Sequence, residues 1–269
     1  MAVLTALRES PNALVRNPVL FVPMLVVMLV QLPVLLLQSV NPVLASVVSA
    51  FVSLLSLAAI PFFQGGLLAM ADEALDGRTS LATFVQSGKR YYVAILVAYL
   101  VLLAVNFAFG MVAFVSIFAG GVLFIGSGQF GEPNLAILVA LGIVAAIGIL
   151  AYLLVVFFLQ FYGQAIVLED RDAVAGLKRS VGVVRANLLS TLGYVILTGL
   201  IGAMAGIGFA GASTLLSYGA TTPTGVGPAA SEPSLLAIVG VGFGVLVLGT
   251  LFGGFFSVFS VAFYREITQ

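Results

Sequence analysis

The chain has 269 residues, of which 62% are hydrophobic and only 7% are charged, and its mean hydropathy is +1.24. An ordinary soluble domain carries about 25% charged residues, so this composition excludes that class and indicates a membrane protein. The net charge is zero and both cysteine and histidine are absent, which excludes a basic nucleic-acid surface, disulfides, thiolate metal sites and histidine catalysis.

The charged residues fall into four short clusters that separate long apolar blocks. Residues 17–71 carry no charge, residues 91–168 carry only Glu132, and residues 186–264 carry only Glu232. Each block is continuously apolar rather than alternating, which favours helices over the strands of a barrel. Since about 20 apolar residues cross a bilayer, each block has room for two crossings.

Six membrane helices, arranged as three hairpins, are therefore predicted in chain order at residues 18–38, 43–71, 91–118, 134–168, 188–217 and 235–264. The first is interpreted as a retained helix rather than a cleaved signal, because Val19–Leu37 exceeds the usual apolar length of a signal. With two crossings per block, all ten Lys and Arg residues lie on one side, which the positive-inside rule assigns to the cytoplasm. The prediction is an all-α, multi-pass protein of the cell membrane with cytoplasmic N- and C-termini.

A short amphipathic segment precedes each predicted hairpin, at residues 3–17, 79–92 and 173–187. In the third segment, apolar residues recur every three or four positions, as an amphipathic helix requires. Helices of this kind lie in the membrane interface with their cations near anionic headgroups. The candidate contacts for lipid headgroups or for a cytoplasmic protein partner are Arg16, Lys89, Arg90, Lys178, Arg179 and Arg185.

The second helix of each hairpin starts with an Xaa-Pro pair, and these pairs are Asn41-Pro42, Glu132-Pro133 and Glu232-Pro233. Proline suits the first helical position because its missing N–H would have no partner there. Together with the amphipathic segments, the pairs favour a pseudo-threefold repeat within a single domain, 1–269, whose units are about 1–73, 74–170 and 171–266. The alternative, that any multi-span protein alternates charged loops with apolar spans, stays open.

The amide side chains within the spans have two interpretations. Gln160 and Gln164 share a helix face, and Gln64 occupies the corresponding place in the first unit. These amides either line a polar cavity at the cytoplasmic end or form hydrogen bonds between helices. We favour hydrogen bonding, since no ionisable group accompanies them within the membrane.

Glycines at four-residue spacing predict close helix packing in the last two helices. They are Gly202, Gly206, Gly240, Gly244, Gly249 and Gly253. A contact between the fifth and sixth helices of one chain is the simpler interpretation, and a homo-oligomer is the alternative.

No catalytic or metal-binding constellation is predicted. The carboxylates at the charged helix ends stand beside Lys or Arg, which indicates solvated ion pairs rather than a metal site; they are Asp72, Asp76, Glu169, Asp170 and Asp172. Because nucleophile, base and metal ligands cannot be assembled from these residues, an enzyme is the least favoured class and no cofactor is expected.

Two stretches of the sequence carry a family resemblance. They are FFQGG at 62–66 with ADEALDGRTS at 71–80, and QFYGQAIV at 160–167 with GLKRS at 176–180 and VRANL at 184–188. These stretches resemble a family of uncharacterised haloarchaeal integral membrane proteins, and the layout is similar to the membrane domain of some glycerophosphodiester phosphodiesterases. The resemblance implies a six-helix protein of an archaeal cell membrane and brings no catalytic residue.

The leading hypothesis from the sequence is a non-enzymatic membrane protein whose basic interfacial helices bind anionic lipid headgroups or a cytoplasmic partner. The alternative is a transporter or channel for a lipid-like or apolar solute, with Gln64, Gln160 and Gln164 lining its cavity. The position of these amides relative to any cavity discriminates between the two hypotheses.

Overall fold

The computed structural model of the protein describes residues 2–130, 135–217 and 235–269. This part of the chain is all-α, as predicted, apart from a 3-10 turn at Pro18–Leu20. The helices are α1 (Ala2–Arg16), α2 (Phe21–Val40), α3 (Pro42–Asp76), α4 (Leu81–Phe130), α5 (Leu135–Leu159), α6 (Tyr162–Leu168), α7 (Ala173–Ala186), α8 (Leu188–Ser217) and α9 (Leu235–Thr268).

Several of these helices are long and apolar enough to cross a membrane. Within the described ranges there are five such segments, namely Val43–Asp76, Leu81–Gly121, Val139–Leu168, Leu188–Gly208 and Gly242–Thr268. A sixth is counted when α1 and Pro18–Gln31, which bend by 96° at the break between them, are taken as one span. The prediction of a multi-pass membrane protein is confirmed.

The predicted start of the second membrane helix is also confirmed. Asn41 precedes α3 and its side-chain oxygen accepts a hydrogen bond from the Leu44 N–H at 3.0 Å, while Pro42 is the first helical residue. This amide cap satisfies one of the N–H groups that lack a partner at a helix start. The pairs Glu132-Pro133 and Glu232-Pro233 lie outside the described residues.

The second amphipathic segment does not form a separate helix. The prediction placed an interfacial helix at 79–92 and a membrane helix from 91, whereas α4 continues without interruption through Leu81–Phe130. The physical reason is the lack of a breaker, because residues 81–93 contain one glycine and no proline. At the end of α1, by contrast, Asn17-Pro18 stops the helix.

The predicted helix at 134–168 is divided in two at Gln160 and Phe161, between α5 and α6. The Ser180 hydroxyl from α7 donates to the Phe158 carbonyl at 2.8 Å and accepts from the Phe161 N–H at 3.1 Å. Both backbone groups would otherwise belong to the helical ladder. The break therefore has an identifiable cause, since a side chain inserted into the ladder replaces its hydrogen bonds.

The chain divides into two compact units, unit 1 (Met1–Tyr92 and Asn187–Gln269) and unit 2 (Val93–Ala186). In unit 1, α9 packs against α1, α2, α3 and α8. Its last turns form the core there, where Phe259, Phe263 and Tyr264 are almost completely buried. The ring of Tyr194 from α8 stacks on Phe263 with 4.5 Å between ring centroids.

Two glycine–phenylalanine contacts join α3 to the first turns of α4 within unit 1. Phe84 of α4 lies on Gly66 of α3, and a Cβ at Gly66 would stand 2.6 Å from the Phe84 carbonyl oxygen. Phe62 of α3 lies on Gly88 of α4 in the reciprocal manner, with its carbonyl oxygen 2.9 Å from a Cβ placed there. Small residues that let helices approach this closely are typical of membrane-helix packing.

In unit 2, α7 packs against α5 and α6. The buried face of α7 consists mainly of small residues: Ala173, Gly176, Ser180, Val183 and Val184. The apolar residues at three- and four-residue spacing in the predicted segment are Val174, Leu177, Val181 and Val184. Of these, Val184 is buried, Leu177 and Val181 are half-buried, and Val174 is 58% exposed.

Candidate functional site

A buried amide, the side chain of Asn17, joins the end of α1 to the end of α3 in unit 1. Asn17, between α1 and α2, is 3% exposed. Its Nδ2 donates to the carbonyl oxygens of Ala13, Ala74 and Gly77 at 3.0, 3.4 and 2.9 Å, and its Oδ1 accepts from the Thr79 N–H at 3.0 Å. Carbonyls at a helix C-terminus lack intrahelical partners, so Asn17 supplies the missing donors at the end of α3.

An ion pair joins the C-terminal turns of α9 and α3. The Arg265 guanidinium donates from Nη1 and Nη2 to the two carboxylate oxygens of Asp76, at 2.7 and 2.8 Å. Its Nε donates to Asp72 Oδ1 at 2.6 Å. This bidentate geometry is the strong form of an arginine–carboxylate contact, although Asp76 is exposed enough for solvent to weaken it. The guanidinium is fully engaged here.

A polar cavity of about 460 Å³ opens beside this ion pair, and it is lined by Glu9, Asn12, Arg16, Leu75, Asp76, Ala262, Arg265, Glu266 and Gln269. Arg265 is paired with Asp72 and Asp76, so the other charged side chains of the lining are Glu9, Glu266 and Arg16. The cavity therefore carries charges of both signs rather than a net positive charge. Arg16 therefore lies among acidic side chains, which weakens its predicted role as a contact for anionic headgroups.

In unit 2, the charges beside the α5–α6 break form a local network. Glu169 accepts hydrogen bonds from Arg171 Nε at 2.7 Å and from Arg179 Nε at 2.9 Å. Asp170, which follows Glu169, has a left-handed backbone conformation with φ of 52°, and aspartate tolerates this conformation better than most residues. The network neutralises Arg179, which was predicted as a lipid contact.

The other predicted lipid contacts divide into two groups. Lys89 and Lys178 are exposed and form no ion pair within the described parts of the chain. The guanidinium carbons of Arg90 and Arg185 lie 5.2 and 5.8 Å from the ring centroids of Tyr91 and Phe158, respectively. Both distances are within the range of a cation–π contact. Lys89, Lys178 and Arg185 remain candidates for lipid contact.

The three amides predicted to share a cavity belong to two units, Gln64 to unit 1 and Gln160 and Gln164 to unit 2. Gln64 belongs to α3 of unit 1, and the Gln160 side chain donates to the Phe157 carbonyl at 3.0 Å beside the α5–α6 break of unit 2. Gln164 is 6% exposed in α6. None of the three lines the polar cavity of unit 1 or the apolar cavity of unit 2.

The six predicted packing glycines fall into two groups, according to whether another residue lies close to the Cβ position. A Cβ at Gly249 would lie 2.5 Å from Met28 Sδ, and one at Gly253 would lie 2.6 Å from Met24 Sδ, so these two pack against α2 rather than α8. Within the described residues, nothing lies within 4 Å of a Cβ placed at Gly202, Gly206, Gly240 or Gly244.

An apolar cavity of about 820 Å³ lies between α4 and α5 in unit 2. Its lining residues are Asn106, Phe109, Gly110, Val112, Ala113, Ser116, Ile117, Gly120, Gly121, Leu141, Gly142, Ala145, Gly148, Ile149 and Tyr152. The Tyr152 hydroxyl donates to Asn106 Oδ1 at 2.8 Å and thereby links the two helices. The volume of this groove is in the range that holds a small molecule.

Residues 1–267 match the family described as a domain of unknown function, DUF7847. The chain belongs to this family. The match covers nearly the whole chain and therefore spans helices α1 to α9. No curated protein and no solved structure matches the chain.

Several residues that organise this DUF7847 protein were not among the predicted site residues. Asn17 and Ser180 act through partners on other helices, and an isolated Asn or Ser in a sequence gives no sign of such partners. Asn106 is a polar residue within an apolar stretch, but its partner Tyr152 lies 46 residues further on. The only available signal was polarity inside an apolar block, which identifies one member of each pair.

Proposed function

We propose that this chain is a non-enzymatic membrane protein that binds anionic lipid headgroups through the basic outer faces of its interfacial helices. The observation that carries the proposal is the 96° bend between α1 and the chain that leads into α2. Since α2 has 20 residues, the length of one crossing, a helix at right angles to it lies along the membrane surface. A helix in that position places its exposed face among the headgroups.

The exposed face of α1 combines apolar and basic residues as this position requires. Leu4 is 60% and Val15 is 84% exposed, and Arg8 lies beside them. At about 100° per residue, the three side chains fall within roughly 40° of one another around the helix. The opposite face, which includes Ala6, is buried by the rest of unit 1.

The exposed face of α7 has the same construction. Val174 is exposed, and Lys178 and Arg185 follow it by four and eleven residues, which again places all three within roughly 40°. The cations therefore stand beside apolar side chains that favour the hydrocarbon. Each such cation near an anionic surface contributes about 1 kcal/mol to attraction.

The correspondence between α1 and α7 also supports the proposed repeat. Ser10 and Ser180 occupy equivalent positions, and Asn17 and Asn187 follow each of them by seven residues. Asn17 donates to carbonyls near the end of α3, and Asn187 donates to the Ile267 carbonyl near the end of α9 at 3.0 Å. In each case, the asparagine at the start of a hairpin caps the end of the same hairpin, which is what a repeated unit requires.

The lipid proposal predicts a measurable headgroup preference. Replacing Arg8, Lys89, Lys178 and Arg185 with glutamine should reduce the ratio of phosphatidylglycerol to phosphatidylcholine that the protein retains. We expect at least a tenfold reduction, since each exposed cation contributes about 1 kcal/mol and some of these are shielded. The measurement is native mass spectrometry of protein that has been incubated with an equimolar lipid mixture in neutral detergent.

The matched control keeps every charge by exchanging Lys and Arg at the same four positions, and it should retain the preference. Raising the salt concentration to 1 M should lower the preference of the unmodified protein, because the Debye length then falls to about 3 Å. An equal lipid ratio for the glutamine variant and the unmodified protein would refute the proposal.

We also propose that both termini and all four charged clusters are cytoplasmic, in a cell membrane that the family resemblance suggests is archaeal. The chain has no cysteine, so a single introduced cysteine gives an unambiguous label. In intact cells a membrane-impermeant maleimide should label Glu132→Cys and leave Asn12→Cys unlabelled. Permeabilisation should expose Asn12→Cys, while the unmodified chain stays unlabelled throughout. The opposite pattern would reverse the proposed orientation.

A further inference from the structure

The apolar cavity of unit 2 is an elongated groove with one polar end. Its lining on α4 runs from Asn106 to Gly121, and its lining on α5 runs from Leu141 to Tyr152. Because a hydrogen bond joins Asn106 and Tyr152, these two residues mark the same end of the groove. At 1.5 Å per residue, the groove is about 20 Å long.

The polar end retains hydrogen-bonding capacity of both kinds. Asn106 Nδ2 donates one hydrogen bond to the Leu102 carbonyl at 2.8 Å, and the Tyr152 hydroxyl donates its hydrogen bond to Asn106 Oδ1. A side-chain amide carries two N–H protons and a hydroxyl has two lone pairs. Among the described residues, one N–H of Asn106 and the oxygen of the Tyr152 hydroxyl therefore have no other partner. A single alcohol group can accept from the first and donate to the second.

The rest of the lining is uncharged and mostly small. Among the described residues that line the groove there is no Asp, Glu, Lys or Arg, so these residues offer a charged headgroup no compensating partner. Gly110, Gly142 and Gly148 have no atom within 4 Å of a Cβ position among the described residues. The open surface beside these glycines leaves space for an occupant.

The groove has room for an extended hydrocarbon chain. Its volume of about 820 Å³ lies in the range of pockets that hold a small molecule. A second protein helix along the same groove is the alternative that the crosslinking test below addresses.

From this geometry, we propose that unit 2 binds one neutral long-chain alcohol. The hydrocarbon chain lies along the glycine-lined part of the groove. The terminal hydroxyl accepts a hydrogen bond from Asn106 Nδ2 and donates one to the Tyr152 oxygen. The site involves neither the basic helices nor an anionic headgroup, so it is independent of the lipid contacts proposed above.

Photolabelling tests this site directly. The probes are hexadecanol and hexadecane, each with a diazirine in the middle of the chain, added to the purified full-length protein in nanodiscs of phosphatidylcholine. We expect the alcohol to label peptides of α4 and α5 about tenfold more than the alkane, since two hydrogen bonds distinguish the probes. Equal labelling by the two probes would overturn the proposal.

Two variants locate the site. Gly142→Leu with Gly148→Leu fills the groove and should reduce labelling by the alcohol at least fivefold. Gly202→Leu with Gly208→Leu has the same spacing, equally open Cβ positions and no place in the groove, so labelling should stay unchanged. Unchanged labelling of the filled variant would also refute the site.

The polar end is tested by Tyr152→Phe, which keeps the ring beside Phe109 and removes the hydroxyl. We expect the preference for alcohol over alkane to fall to less than threefold in this variant. That ratio is measured on a single protein sample, so it remains informative if the filled variant does not fold. A tenfold preference that is retained in Tyr152→Phe would contradict the proposal.

A second copy of the chain in the groove is tested with Gly142→Cys. A disulfide crosslink between two chains at this position that added hexadecanol does not reduce would also contradict the proposal.

Discussion

Replacing Asn17 with leucine is expected to lower the free energy of unfolding by about 3 kcal/mol. The side chain is buried and joins α1 to the end of α3 through four hydrogen bonds. Its removal leaves the Gly77 carbonyl and the Thr79 N–H without their side-chain partner, and each unsatisfied buried group costs roughly 1–3 kcal/mol. The measurement is reversible unfolding in mixed micelles at increasing mole fractions of dodecyl sulfate.

The matched control for this prediction is Asn41→Ala. Asn41 is an exposed N-cap with a single side-chain hydrogen bond, to the Leu44 N–H, so its loss should cost only about 1 kcal/mol. Asn17→Asp provides a second comparison, because it keeps an acceptor for Thr79 and removes the donors. Equal destabilisation by Asn17→Leu and Asn41→Ala would show that the buried hydrogen bonds of Asn17 do not stabilise the contact between α1 and the end of α3.

The second large effect is expected from Gly66→Val. A Cβ at this position would stand 2.6 Å from the Phe84 carbonyl oxygen, and a backbone atom moves only if the helix moves. Overpacking of a close contact typically costs 1–3 kcal/mol, so we expect about 3 kcal/mol here, measured in the same mixed-micelle assay.

Gly208→Val is the control for this substitution. Gly208 also lies in a long apolar helix, but among the described residues nothing stands within 4 Å of its Cβ position. Valine has a somewhat better helix propensity than glycine, so the control should leave stability within about 0.5 kcal/mol of the unmodified protein. A comparable loss of stability in both variants would mean that a larger side chain in any membrane helix is destabilising. The contact of Gly66 with α4 would then not be the cause.

The membrane helices could be predicted from the sequence because their signals are local. Asn41-Pro42 correctly indicated the start of α3, and the predicted limits of 188–217 coincide with those of α8. A long apolar stretch, a cap and a proline act within a few residues of the boundary they set. The same rule explains why α4 was divided in the prediction, since its charged turns resemble a boundary although no residue there breaks a helix.

The contacts that organise each unit could not be predicted, because their partners are distant in the chain. Arg265 lies 193 residues from Asp72, and Asn17 lies 60 residues from Gly77. Ser180, which belongs to α7, interrupts the predicted helix at 134–168. The sequence of residues 158–161 contains no signal that predicts the break. Hydrophobic periodicity identifies a buried face but not the side chain that will meet it.

The uninterrupted length of α4 has a consequence for the membrane itself. With 50 residues, the helix is about 75 Å long at 1.5 Å per residue, whereas the hydrocarbon core is about 30 Å thick. Residues 91–121, which follow Lys89 and Arg90 and carry no charge, number 31 and reach about 46 Å, beyond the thickness that an upright helix matches. Hydrophobic mismatch of this size is relieved by tilt or by local thickening of the bilayer. The position of α4 is therefore sensitive to the thickness of the surrounding lipid.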